Sequence, residues 1–204
     1  MPYVAISIGF TVNRRPTVGV VLNPFTAQLY TAIRSLGAFL TLLSSDLSTT
    51  QSKSKLPLYS PQPLELQSSV IAIEYATERQ GNNYTVKVDT FKELASAQGG
   101  MVHALRSYGS AALNLCSVAS GFIDGYWEGG CWEWDVCAGW LILEEAGGTI
   151  VSGNPPPEPM RELSNPDLCG RVYLAVRQAR SQKEVEDWVR RFWSCIKGEL
   201  VYRR

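Results

Sequence analysis

Glu128 and Asp135 are the residues of this chain whose type and placement could do chemistry. They bracket Glu128-Gly-Gly-Cys-Trp-Glu-Trp-Asp135, which reads as a strand end, a tight glycine turn and a carboxylate at the start of a buried helix. A helix dipole favours negative charge there, and beside a loop such a carboxylate can meet a metal ion or a polar ligand. Gly109-Ser110-Ala111 opens a second helix, whose unpaired N–H groups could hold an oxyanion or a hydroxyl. The same residues also fit a structural role, with Ser110 and Asp135 as helix caps and Glu128 as a solvated turn residue. Trp127, Trp132, Trp134 and Trp140 could stack on a sugar, although core or rim packing is the commoner use of such side chains. His103 is the single histidine; no nucleophile stands beside it, so a structural role is expected rather than a Ser-His-Asp triad. Cys137 reads as a small core residue, and no phosphate loop, dinucleotide fingerprint, zinc spacing or EF-hand is present.

The elements that must position these residues alternate between strand and helix. Residues 4–12, 17–22 and 28–33 have strand composition and are joined by Asn-Arg-Arg-Pro and Asn-Pro turns, which predicts an antiparallel meander. Residues 44–69, rich in Ser, Thr, Gln and Pro, read as a long surface loop. A strand follows at 70–75, and Thr90-Phe-Lys-Glu93 looks like a capping box opening a helix that stops at Gly99-Gly100. Further on come a helix after Ser110, a strand over 123–127, a helix over 135–146, a strand at 149–151 and a stiff proline loop at 154–159. A strand over 171–177 leads to a last helix. Ser181-x-x-Glu184 caps that helix, with Val185, Trp188, Val189, Phe192 and Ile196 on one stripe. This order predicts a single layered α/β domain over residues 1–204.

Lys plus Arg number 19 and Asp plus Glu number 19, so no net field recruits nucleic acid or an acidic membrane. No apolar run approaches the roughly 18 residues that span a bilayer. Five cysteines without a C-x-x-C spacing fit reduced, mostly buried thiols in a cytoplasmic protein. Asn83-Tyr84-Thr85 is read as a chance match to a glycosylation sequon.

Trp134-Asp135-Val-Cys-Ala-Gly139 followed by Glu145-Ala146-Gly147-Gly148 resembles the C-terminal signature of the inositol monophosphatase family, W-D-x-A/C-A-G with E-A-G-G. Arg106-Ser-Tyr-Gly109-Ser110-Ala111-Ala-Leu-Asn114-Leu-Cys116 is similar to that family's R-S-x-G-T/S-A-A-x-N-x-C segment. Residues 2–10 look like the strand beyond the family's first metal motif, and 44–69 then becomes a family-variable insertion.

The resemblance implies a Mg²⁺-dependent phosphomonoesterase in an αβαβα sandwich, usually a homodimer, acting on an inositol phosphate through a metal-activated water. By motif, Asp135 would be a metal ligand that also touches the inositol ring. Glu128 would bind a ring hydroxyl, Gly109, Ser110 and Ala111 would line the substrate pocket, and Glu74 would have a structural or rim role. Relatives acting on other sugar, nucleotide or histidinol phosphates keep the substrate open, as does a non-catalytic relative that binds a partner or dimerises. The family's D-P-x-D-G-T motif is not found in these residues, so no catalytic residue is assigned. A fold truncated at its N-terminus is expected, with little phosphatase activity from this polypeptide and with apolar faces exposed on its two sheets.

Overall fold

The structure, a computed structural model, describes residues 3–157, 163 and 166–203, so Glu158 and Pro159 of the expected proline loop lie outside the described residues. The first quarter of the chain is the expected meander, extended to five strands: β1 (Ile6–Val12), β2 (Arg15–Asn23), β3 (Gln28–Ile33), β4 (Gly37–Leu43) and β5 (Thr50–Lys55). Asn13 and Arg14, both at positive φ (51° and 61°), turn β1 into β2 with the left-handed bend that matches strand twist. β5 corrects the reading of 44–69 as loop. Its six residues are all exposed and polar, an edge strand that hydrophobic alternation cannot reveal. Buried Leu56, Leu64 and Leu66 then pin the segment after it, much of which remains on the surface.

The second sheet has the order β7 (Ala104–Arg106), β6 (Val70–Ile73), β8 (Gly125–Gly129), β10 (Val172–Val176), β9 (Thr149–Ser152). β6 runs parallel to both β7 and β8, and β10 is antiparallel to its neighbours. Between the sheets lie α2 (Ala111–Ser120) and α3 (Glu133–Glu145), burying Leu115, Val118, Val136 and Leu141 against Val21, Tyr30 and Ala38 on one side and Tyr126 and Ala175 on the other. On the far face of the second sheet, α1 (Gly81–Ala95) and α4 (Gln182–Ser194) cover Ile71, Ile73, Trp127 and Leu174 with Val86, Leu94, Trp188, Val189 and Phe192. Four layers, βαβα, are thus described.

α3 lies close on the first sheet because β2 presents a glycine to it: a Cβ on Gly19 would stand 2.6 Å from the Ala138 carbonyl oxygen. The opposite face of that sheet carries Ile6, Ile8, Phe10 and Val12, all between 48% and 60% exposed, with Val18, Val20 and Leu22 beside them in register. The expected exposure therefore holds for the first sheet only, since helices cover both faces of the second.

The capping box at Thr90 is also corrected. Thr90 is buried in the middle of α1, where its hydroxyl accepts the Lys197 N–H at 3.1 Å. α1 starts ten residues earlier because Asn82 and Asn83, which read as loop residues, turn their side chains onto the C-terminal segment. The same contacts bury Asn83 and remove it as a glycosylation acceptor.

Candidate substrate-binding site

In the second sheet Ile73 of β6 pairs in parallel with Trp127 of β8. The next residues, Glu74 and Glu128, therefore stand side by side at the carboxyl ends of two adjacent strands. Both follow an alternation that points them toward the α2–α3 layer, as Ala72 and Tyr126 do. The N-termini of α2 and α3 reach the same end of the sheet, so two carboxylates meet two helix starts.

The two carboxylates are treated differently. Glu74 is buried and accepts four hydrogen bonds: from the Ser107 hydroxyl (2.6 Å), the Tyr108 and Gly109 N–H groups (2.7 and 2.8 Å) and the Asn114 amide (2.9 Å). Its role is structural, to hold the loop that leads into α2. Glu128 is also buried but, among the described residues, has only the Tyr126 hydroxyl as a hydrogen-bond partner, in a short contact. Burial pushes its carboxyl up to about 7; the neighbouring Glu74 and Asp135 push the same way, while the Tyr126 hydroxyl and the Lys87 ammonium oppose them. It is no solvated turn residue.

Lys87, fully buried on α1, donates to the carbonyls of Gly129 (2.8 Å) and Tyr75 (3.3 Å). Burial lowers its pKa, and the Glu128 charge partly restores it. Asp135 is the third residue of α3 rather than its cap. Its Oδ2 reaches back to accept the N–H of Trp132, which occupies the cap position, at 2.8 Å, and Oδ1 accepts from no described residue. Ser110 does cap α2, accepting from Leu113 N–H at 3.4 Å. Gly109, at φ +85°, has its N–H committed to Glu74, so of the three residues there Ser110 and Ala111 keep N–H groups that no described residue accepts.

The tryptophans divide. Trp127 and Trp140 are buried and donate to Gly153 O (2.7 Å) and Glu144 Oε1 (2.8 Å). Trp132 and Trp134 are exposed at the rim and stack on each other, ring centres 5.2 Å apart. His103 is exposed on the loop after α1 and joins neither a triad nor the core. All five thiols are free, and Cys116, Cys131, Cys137 and Cys195 are buried.

A hard divalent cation takes six or more oxygen ligands. Asp135 can lend one, and among the described residues no group of three or more His, Cys, Asp and Glu side chains could hold a metal ion. Asp135 Oδ1 is thus one oxygen open to a cation; the described residues alone do not complete a shell. Lys87 and Tyr126, which contact Gly129 and Glu128 at this strand end, carry no sequence motif. Each acts through a backbone carbonyl or through a neighbour in space.

The family model described as the inositol monophosphatase family matches residues 1–194. Inositol monophosphatase 2 of Saccharomyces cerevisiae is 46% identical over 98% of this chain, and the Neurospora crassa quinic acid degradation cluster protein x is 38% identical over 100%. The chain spans 64% and 62% of those two relatives. Among solved structures, inositol monophosphatase from Anabaena (Nostoc) sp. PCC 7120 superposes with a TM-score of 0.70 at 28% identity, over 95% of this chain and 64% of that one. Mycobacterium tuberculosis SuhB, at 24% identity and a TM-score of 0.67, shares the fold. No helix among the described residues is long and apolar enough to cross a membrane.

Proposed function

This chain belongs to the inositol monophosphatase family, and we propose that it carries the polyol-recognising part of a site that hydrolyses an inositol phosphate. The observation that supports this reading is the turn 129–132, which joins a buried Glu128 of β8 to a half-exposed Asp135 of α3. Glu128 would accept a ring hydroxyl, and its near-neutral pKa lets it do so as a carboxylate above pH 7. Asp135 Oδ1 would meet a second hydroxyl and lend one oxygen to Mg²⁺, the other metal ligands coming from outside the described residues. The open N–H of Ala111 at the start of α2 would face the anionic part of the substrate.

The test is a titration of the protein with myo-inositol 1-phosphate, followed by amide NMR with and without Mg²⁺. Shifts centred on residues 128–135, lost in Glu128→Gln and Asp135→Asn, are expected; shifts that both variants retain would refute the assignment. Residues 1–204 by themselves should release little phosphate, and turnover at a rate typical of an enzyme would overturn that expectation. The resemblance to a quinic acid degradation cluster protein favours a second polyol, so quinate belongs in the same titration. Free thiols support a reducing, cytoplasmic setting, and the apolar outer face of the first sheet supports association with a second chain, which light scattering would read as a dimer mass.

A further inference from the structure

Arg171 carries two separate energetic costs. Its backbone sits at φ +62°, in the left-handed region that a long side chain rarely adopts. Its Nε is the one buried side-chain nitrogen or oxygen among the described residues that lacks a hydrogen-bond partner. Strain and an unsatisfied donor on one residue, next to a candidate site, call for an explanation from function.

The rest of the guanidinium supplies one. Nη2 donates to the Gly130 carbonyl at 2.7 Å, and the guanidinium carbon lies 3.7 Å from the centre of the Trp132 ring. Nη1 donates to the Arg203 carbonyl at 2.7 Å, tying in the C-terminal segment. The Gly129 carbonyl, one residue earlier, is held by Lys87 at 2.8 Å. Both cations face the ring of Tyr202, at 5.3 Å for Arg171 and 5.6 Å for Lys87, and the Tyr202 hydroxyl is anchored on Glu78 at 2.9 Å. That ring lies directly on the turn: a Cβ at Gly129 would stand 2.7 Å from it and one at Gly130 3.0 Å. Two consecutive carbonyls of the turn are thus gripped by two cations over one aromatic ring.

We propose that Arg171, supported by Tyr202 and Lys87, is a positioning residue that fixes the turn 129–132 and with it the placement of Glu128 relative to Asp135. Two oxygens on separate elements can accept two hydroxyls of one ring only while the turn between them keeps its shape. Trp132 carries the coupling onward, since its N–H is the group that orients Asp135. The inference rests on the polyol-binding reading of Glu128 and Asp135 given above.

The experiment compares myo-inositol 1-phosphate affinity, by NMR titration over the millimolar range, in the wild type, Arg171→Ala, Arg171→Lys, Tyr202→Phe and Glu128→Gln. Backbone amide exchange over 129–132 is measured in each. Arg171→Ala should weaken binding about tenfold and speed exchange in the turn while the core strands keep their protection. Tyr202→Phe, which frees the ring from Glu78, should speed exchange in the turn less than Arg171→Ala does. Arg171→Lys, which loses the fork and the stack, should fall between wild type and Arg171→Ala and serves if Arg171→Ala does not fold. If Glu128→Gln loses the ligand but both Arg171 variants keep wild-type affinity and exchange, the positioning role is wrong and the binding site stands. If the wild type itself shows no binding, the site reading fails and the positioning role falls with it.

Discussion

Replacing Glu128 by Gln should reverse part of the protein's pH dependence of stability. The side chain keeps its size and can still accept from the Tyr126 hydroxyl, so the change removes chiefly the ionisable proton. The folded carboxyl titrates at about 7 against a reference of 4.5. Between those values the native state holds a proton that the unfolded chain has released, so native binds more protons and stability falls as pH rises. The penalty is absent below about pH 4.5 and complete above about pH 7. A gap of roughly 2.5 pH units at about 1.4 kcal/mol each makes it about 3–4 kcal/mol. The Gln amide lacks a partner in the same buried place, which costs about 1–3 kcal/mol at every pH. The variant should therefore be less stable than wild type at pH 4.5 and gain on it by about 3–4 kcal/mol on the way to pH 8. For a chain of this size that is a swing of roughly 6–16 °C in the Tm difference. Urea or thermal unfolding followed by far-UV circular dichroism at half-unit steps reads it directly. A Tm difference that is flat across the window, or that moves in favour of wild type as pH rises, refutes the assignment of a raised carboxyl to Glu128.

Three further outcomes follow from packing. Glu74→Ala strips the shared acceptor from four donors and should lose at least about 3 kcal/mol in urea unfolding, with fast amide exchange at Tyr108 and Gly109; a loss near zero would mean that water replaces the carboxylate. Gly19→Ala forces a methyl to within 2.6 Å of the Ala138 carbonyl oxygen and should cost about 1–3 kcal/mol by lifting α3 from the first sheet, again read by urea unfolding. At protein concentrations where light scattering reads the monomer mass, the outer face of that sheet should bind an apolar dye such as ANS, and Ile8→Lys with Phe10→Lys should abolish most of the fluorescence without lowering Tm; monomer that leaves the dye dark refutes the exposed face.

What was legible in the sequence was what repeats locally. The meander of β1 to β3, the amphipathic α4 and the α2 and α3 signatures follow from alternation, from a helical stripe and from Gly and Ser at helix ends. Among the elements that escaped, β5 and the first turns of α1 each lack a local hydrophobic pattern. β5 is polar throughout because it is an edge, and is held by its register on β4. The first turns of α1 carry Asn82 and Asn83, whose side chains serve the backbone at Glu199 and Val201, more than a hundred residues on. A local reading assigns such residues to loops.

The site divides along the same line. Glu128 and Asp135 could be named because each sits at a strand or helix end that sequence marks, yet their protonation and orientation could not be. Those depend on the burial of Glu128, on Glu74 arriving beside it by parallel pairing, and on Trp132 presenting its N–H to Asp135. The supports are further removed still. Lys87 and Arg171 act on carbonyl oxygens, which every residue possesses, so no residue type at the turn marks the contact. Gly129 and Gly130 are the one trace left in sequence, and they read as a flexible turn. The structure gives them another meaning: their missing side chains admit the Tyr202 ring onto the turn. A glycine pair between two carboxylates is therefore a place to look for an aromatic residue packed on the backbone, and for cations holding its carbonyls.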